Sequence, residues 1–378
     1  MHDWLIVGAG FTGAIAAQIL AAEHGQSVLV IDQRDHIAGN AHDRRNENGI
    51  LYHLYGPHIF HTNSHQIADY LSGFTQWRPY EHRVLAMIKN RLVPVPFNFT
   101  SIEMMFDHRK AQRMKDALIA RYGMGANTTI MKLRNEPSEI LRELADFVYE
   151  NVFLGYTTKQ WGFGPEQLSS SVTDRVPVRV SYDDRYFQDT FQNMPLHGYT
   201  HMFEKMLAHP NIHVALKTRW QDMAKDGKFR NILFTGAMDE FCNYELGPLP
   251  YRSLSFDIQT YRQPAHQPVA QVNYPNAENY TRITEMFHMT GERHNKTLVM
   301  IEYPQAHLPG QTVPYYPIPH AQNEALHKQY EALAAARFPH VHFAGRLADY
   351  RYYNMDQAAG RAMSLIRKLS QTGGSQTG

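Results

Sequence analysis

Cysteine is nearly absent from this chain: among 378 residues there is one, Cys242. A lone thiol closes no internal disulfide and supplies no CxxC pair, so the plain inference is a cytoplasmic protein. Charge of a dominant sign is missing too. The 37 Lys and Arg almost cancel the 36 Asp and Glu, so no electrostatic footprint of a nucleic-acid or anionic-membrane binder is present. No apolar run is long enough to span a bilayer. At the N-terminus no basic segment precedes an apolar core, and Leu5 to Val7 already read as a strand, so no cleaved signal is expected. What the chain does have is length for two or three domains. It also has 22 Tyr and 20 Pro, which suits loops and aromatic-lined pockets.

The rest is organised around Val7-Gly8-Ala9-Gly10-Phe11-Thr12-Gly13. The stretch follows the apolar run Trp4-Leu5-Ile6-Val7 and opens into the alanine-rich Ala14 to Leu20, so Gly8-x-Gly10-x-x-Gly13 falls between a strand and a helix. A dinucleotide-binding turn needs that context. Gly8 serves the tight turn, Gly10 the close approach of a pyrophosphate, and Gly13 the packing of helix on strand. The phosphates then meet free N–H groups at the positive end of the helix. The next strand, Ser27 to Ile31, ends on Asp32, at the distance expected of a ribose-binding carboxylate. Gln33-Arg34 and Ile37-Ala38-Gly39-Asn40 continue a pattern typical of FAD-binding proteins of the amine-oxidase and hydroxylase type. Ala38 stands where a first glycine is usual, and fits the turn only if its φ is negative.

His53, His58, His61 and His65 cluster around Gly56-Pro57. No carboxylate or thiolate joins them at ligand spacing, so no metal is assigned, and they read as a polar lining beside a cofactor or as merely solvated histidines. Arg83 to Val95 reads as a β-hairpin turning at Lys89-Asn90-Arg91. Ser101 to Tyr122 reads as helical, and Ser138 to Phe153 as a strongly amphipathic helix. Tyr156 to Pro165 is too polar and turn-rich for a core helix. Residues 162–182 carry glycines and a serine run ahead of Arg175 and are expected to form a lid over the substrate. Arginines among tyrosines at Arg175 to Phe187, Tyr280 to Arg282 and Pro314 to Pro317 suit a nucleoside diphosphate, guanidinium on phosphate and ring on base.

His213-Val214 and Asn231 to Thr235 read as strands returning to the first domain, 250–320 as a mostly antiparallel sheet, and Glu324 to Phe338 as a helix. A final helix starts at Met355 with Asn354 as cap. The expected class is therefore α/β, with a discontinuous Rossmann-like FAD-binding domain (1–75, 195–245 and 325–370). A helical insertion (98–154) and an antiparallel-sheet substrate domain (76–97, 155–194 and 246–324) complete it, with a disordered tail at 371–378.

Several motifs carry a resemblance: Tyr55 to His61, Gly155 to Gly162, Arg175-Val176-Pro177-Val178-Arg179, Tyr280 to Ile283, Pro314 to Pro317 and Gly345-Arg346-Leu347. With these in order from about residue 3 to 369, the chain resembles the bacterial UDP-galactopyranose mutase family. The resemblance implies a homodimeric, cytoplasmic FAD enzyme, an isomerase that interconverts UDP-galactopyranose and UDP-galactofuranose for cell-surface glycan synthesis. It assigns the cofactor to Gly8, Gly10, Phe11, Thr12, Gly13, Asp32, Gln33, Gly39, Asn40, His58, Gly345, Arg346, Tyr353, Asn354 and Met355. The substrate falls to Phe153, Tyr156, Thr157, Trp161, Tyr186, Asn273, Tyr315, Tyr316 and Tyr352. Arg175 and Arg282 would clamp the diphosphate, and His61 would act near the sugar. Three positions depart from the family pattern: His82 where Asn is usual, Met286 where His often follows Tyr-Thr-Arg, and Asn354 where Asp is frequent.

The implied chemistry has reduced flavin N5 displace UDP from the anomeric carbon, with charge gathering on the diphosphate as the bond breaks. NAD(P)H or another reductant would prime the flavin, held non-covalently. The competing readings are a mutase of UDP-GalNAc or dTDP-fucose, a flavin-dependent oxidoreductase, and a silent nucleotide-sugar-binding protein.

Overall fold

The computed structural model describes residues 2–168, 177–223 and 229–373. Arg175, part of the expected lid (169–176) and residues 374–378 of the expected tail lie outside the described residues, whereas 371–373, expected to be disordered, form the end of the last helix.

Trp4–Val7 is uniformly apolar, the pattern of a strand covered on both faces. Among the described residues it is central in a five-stranded sheet ordered Ile212–Ala215, Val28–Ile31, Trp4–Val7, Asn231–Phe234, Val341–Phe343. Every pairing in it is parallel. The helix Phe11–Ala22 is buried along nearly its whole length, and its alanines share a core with Ala359, Ala362 and Ile366 of the last helix, Met355–Gly373. Small side chains permit that close approach. Each large one in the core, such as Ile15 or Ile366, contributes about 1.5–3 kcal/mol by burial.

Among the described residues a second sheet has seven strands, ordered Tyr316–Pro317, Tyr251–Tyr261, Thr297–Ala306, Arg282–Glu285, Gln271–Asn273, Val84–Ile88, Arg91–Val95. Its pairings are antiparallel except Gln271–Asn273 against Val84–Ile88. The hairpin turn is shorter than the sequence suggests: Lys89 (φ 48°) and Asn90 (φ 62°) make it alone, a two-residue turn of the primed kind, and Arg91 is already in the strand. Trp77–Pro79 joins Phe191–Pro195 and Phe60–Thr62 in a separate three-stranded sheet.

The helical segment packs its own core around Phe97, Phe99, Leu118, Leu144 and Val148. Two expectations there need correction. The stretch 101–122 is two helices, Phe99–Met105 and His108–Tyr122, because Asp107 caps the second by accepting from the Lys110 N–H at 3.0 Å. The amphipathic helix Glu139–Val148 does not end at Phe153. It passes through a π-helical turn, Tyr149–Phe153, into a further helix, Leu154–Trp161, where sequence texture suggests turns. Remote side chains account for that. Arg252 donates from Nε to the Gln160 carbonyl (2.9 Å) and from Nη2 to that of Lys159 (3.1 Å), satisfying the carbonyls a helix end leaves open.

Candidate active site

Two cavities gather most of the expected site residues. The first, about 890 Å³, opens at the carboxyl ends of the parallel strands, where ligands bind in open α/β sheets. Gly8 sits at φ 110°, and a β-carbon there would lie 2.0 Å from Thr235 Oγ1. A β-carbon on Gly13 would lie 1.9 Å from the Gly8 carbonyl oxygen, so helix and strand touch only because it is glycine. Ala38 overturns its expectation: φ is +71°, in the left-handed region, with its N–H donating to the Ala9 carbonyl at 2.9 Å. Such strain, about 1–2 kcal/mol, persists where the surroundings dictate the turn.

Gly8, Gly10, Phe11, Thr12, Asp32, Gln33, Gly39, Asn40, His58, Gly345, Arg346, Tyr353, Asn354 and Met355 all line this cavity. Gly13 does not, since its place is the helix–strand contact. The buried Asp32 carboxylate accepts from the N–H groups of Ala9 and Arg34, both at 2.9 Å, which ties the glycine turn to the second strand. Arg34 and Tyr55 line the cavity unpredicted, the guanidinium 4.4 Å from the ring centroid. The Asn354 N–H donates to Gln357 Oε1 at 2.9 Å as the last helix begins. His58 donates its backbone N–H to His53 Nδ1 (3.0 Å), and its own Nδ1 lies 2.8 Å from the Gly56 carbonyl. Desolvation, with the His53, Arg346 and Arg282 charges, pushes it down to about 3. His58 is thus neutral, with Nδ1 the donor and Nε2 left as an acceptor.

The second cavity, about 170 Å³, is lined by Phe153, Tyr156, Thr157, Trp161, Tyr186, Asn273, Arg282, Tyr316 and Tyr352 of the expected set. Its floor is aliphatic and aromatic: Ala86, Val95, Phe97, Ile130, Val148 and Val152. Arg282 lies on the Glu302 carboxylate, with Nε and Nη2 at 2.8 and 2.6 Å from Oε2, while Thr281 donates to Oε1 at 3.2 Å. Burial alone lowers the Arg282 pKa, but Glu302 and the phenols Tyr156 and Tyr316 outweigh it, so the guanidinium is held charged. Trp161, Tyr316 and Tyr352 form an aromatic box, Tyr316 stacked on Tyr352 with centroids 5.0 Å apart. The Arg346 guanidinium, which lines the first cavity, sits 5.6 and 5.2 Å from those two rings of the second.

Some expected residues lie elsewhere. Tyr315 lines the first cavity, not the second. His61 lines neither: its Nδ1 lies 2.8 Å from Asp189 Oδ2, and the ring stacks on Phe187. Met286 is fully buried in the main core and lines neither cavity, so its departure from the pattern has no direct contact with the site. His82 stands behind Tyr186, accepting from its N–H through the backbone carbonyl at 2.6 Å. Gln160, unpredicted, lines the second cavity, and its buried Oε1 has no partner among the described residues. Only a helical reading of 154–161 could have found it, three to four residues from Tyr156 and Thr157 on one face.

Fold and site together define a Rossmann-like α/β protein with an arginine-and-aromatic cavity beside a glycine-lined cleft. The family model for UDP-galactopyranose mutase matches residues 151–352, and that for an NAD(P)-binding Rossmann-like domain matches 6–74. A Klebsiella pneumoniae protein described as a probable UDP-galactopyranose mutase is 36% identical over 95% of this chain and 92% of its own. Escherichia coli dTDP-fucopyranose mutase is 34% identical over 94% and 95%. The Mycoplasma pneumoniae UDP-galactopyranose mutase is 33% identical over 98% and 96%. The chain belongs to the UDP-galactopyranose mutase family. Its fold matches a crystal structure of a reduced UDP-galactopyranose mutase, TM-score 0.74 at 16% identity, covering 98% of this chain and 96% of that one. A redesigned putrescine oxidase shares the fold more distantly, TM-score 0.59 at 12% identity over 98% and 99%. Among the described residues no helix is long and apolar enough to cross a membrane.

Proposed function

We propose that this protein is an isomerase that interconverts UDP-galactopyranose and UDP-galactofuranose with reduced FAD. The observation that carries the reading is the pairing of two sites across Arg346: a glycine-lined cleft that it lines, and, behind the rings it packs on, a cavity lined by the charged Arg282 together with Trp161, Tyr316 and Tyr352. FAD fits the cradle, since Gly8 and Gly39 leave no room for a β-carbon and the first helix presents its positive end. Gly8 to Thr12, Asp32, Gln33, Gly39, Asn40, Gly345 and Arg346 would hold it, with the last helix starting at Asn354-Met355 beside it. Bound and reduced, the flavin supplies the electron-rich nitrogen that the anomeric carbon requires.

The chain's own residues do the rest. Trp161, Tyr316 and Tyr352 stack on the base or ribose and exclude water. Arg282, oriented by Glu302, stabilises the negative charge that builds on the diphosphate as the C–O bond breaks, with Arg175 assigned as its partner. Because the guanidinium is fixed in advance, no reorganisation is needed at that moment. His58 Nε2 is available as a neutral acceptor on the cofactor side.

The partition into a discontinuous cofactor domain, a helical insertion and a substrate-binding sheet domain goes with this reading. So do a homodimer, a role in cell-surface glycan synthesis and a cytoplasmic location, the last supported by the single buried Cys242.

A second reading has an observation of its own. The floor of the second cavity is apolar, and an apolar pocket rejects one extra methyl group weakly, by about 1–3 kcal/mol. A thymidine diphosphate sugar, the substrate named for the E. coli relative, would be accepted at the base. Product analysis with dithionite-reduced protein and UDP-galactose or dTDP-fucose tests both. Ring contraction of UDP-galactose is expected. Net oxidation of the sugar, or no conversion of either substrate, would sink the mutase reading.

A further inference from the structure

The helix Leu154–Trp161 carries Tyr156, Thr157, Gln160 and Trp161 into the second cavity, and a β-hairpin from another part of the chain carries Asn273 and Arg282. Asn273 and Arg282 face each other in register at the mouth of that hairpin, whose loop runs from Tyr274 to Tyr280. Lys159 lies between the two. Its Nζ donates to the carbonyls of Tyr274 (2.5 Å), Glu278 (2.9 Å) and Tyr280 (3.2 Å), at the start, middle and end of the loop. An ammonium group has three donors, and all three are spent. Lys159 is therefore not a ligand of the substrate phosphates, although it sits on the helix that lines the cavity.

Two further contacts join the same surfaces. A β-carbon on Gly155 would lie 2.3 Å from the Pro275 carbonyl oxygen, so the loop rests directly on the helix backbone. Asn276 Nδ2 donates to the Asn151 carbonyl at 3.1 Å.

We propose that Lys159 is a positioning residue for the nucleotide-sugar reaction, fastening the hairpin that bears Asn273 and Arg282 to the helix that bears the aromatic wall. The proposal rests on the function given above. Glu302 sets the rotation of the Arg282 side chain from behind, and Lys159 sets where its strand stands relative to Tyr156 and Trp161. Loss of the ammonium strands three carbonyls that must then recruit water, and the loop lifts from the helix. The two halves of the cavity drift apart while the cofactor cradle, built on the parallel sheet, is untouched.

The test compares FAD-loaded parent and Lys159→Met protein. UDP titration is expected to show Kd raised about tenfold or more, with unchanged flavin content and absorption spectrum. The KM of the nucleotide sugar rises with it, while kcat stays within about threefold, because the chemical groups remain. Amide exchange accelerates across 274–282 and not across 8–22. UDP affinity within about twofold of the parent in folded, flavin-loaded Lys159→Met overturns the proposal, as does parallel loss of UDP and flavin, which marks a general structural role. Should Lys159→Met not fold, Gly155→Ala decides: it keeps the lysine but wedges the loop from the helix, so Kd must rise, and an unchanged Kd refutes the idea. A parent protein that binds no UDP at all refutes the mutase reading itself, a different outcome.

Discussion

The two cavities are made of different material. The cofactor cradle is a backbone structure, of glycines that allow contact, a helix N-terminus and strand ends from one parallel sheet, drawn together by the buried Asp32. The substrate cavity is a side-chain structure. Its charge comes from one strand, its orienting carboxylate Glu302 from the next, its rings from five separate segments, and its strut from Lys159. A backbone cradle tolerates side-chain change but not an added β-carbon, whereas a side-chain cavity should lose function one residue at a time without losing its fold.

The largest effect expected is at Gly13. Ala there puts a methyl group where the Gly8 carbonyl oxygen stands, 1.9 Å away, and neither backbone can yield cheaply. Gly13→Ala is expected to cost about 3 kcal/mol, at the upper end for overpacking, and to abolish flavin retention. A yellow variant with parental melting temperature would break the contrast at its strongest point. Next comes Arg282→Lys, which keeps the charge but loses the planar fork held by Glu302. A charge-assisted hydrogen bond is worth about 1.5–3 kcal/mol, so kcat/KM falls roughly ten- to a hundredfold with flavin content intact. The neighbouring tyrosines sharpen the comparison within one dipeptide. Tyr316→Phe should weaken UDP binding, and Tyr315→Phe should instead alter the flavin spectrum, because the two rings line different cavities. Steady-state kinetics beside absorption spectra would reveal any exchange of those effects.

Legibility in the sequence follows the same division. The cradle could be read because strand, glycines, helix and acid succeed one another within the first 32 residues, and each acts through its neighbours. The resemblance supplied most of the aromatic wall. What went unread depends on distant contacts. Leu154–Trp161 is helical because Arg252, some 92 residues on, closes its last turn. His61 is drawn to Asp189, 128 residues away, and lines neither cavity. Ala38 holds a positive φ that its residue type disfavours, because Ala9 and the first helix impose the turn. Local pattern encodes none of these.

The smallest effect expected is on acid stability, and it too separates the regions. His53, behind the cofactor cavity, is 1% exposed, and burial pushes its pKa down to about 4. Its Nδ1 accepts the His58 N–H, a bond that a proton there would abolish. His82, behind the substrate cavity, is 2% exposed. Burial foremost, then the charges of Arg282 and His61, push it down to about 3 against the opposing hydrogen bond to the Gln271 side chain. Tyr80 Oη also lies 3.0 Å from its Nδ1. In the unfolded chain both histidines titrate near about 6.5. Below that pH the unfolded state binds protons that the native state refuses, so stability falls with pH and levels only near the depressed native values. By about pH 5.5 each histidine should have removed about 1.4 kcal/mol. Melting curves of the flavin-loaded protein from about pH 7.5 to 5.5 measure the sum over these two and the other depressed histidines, His42 and His58 among them. His82→Asn should flatten the curve by one proton's share and leave the flavin bound, since the residue touches only the substrate side. A slope unchanged by that substitution would mean His82 takes up its proton in the folded protein, and a slope flattened together with flavin loss would mean the two regions are not independent.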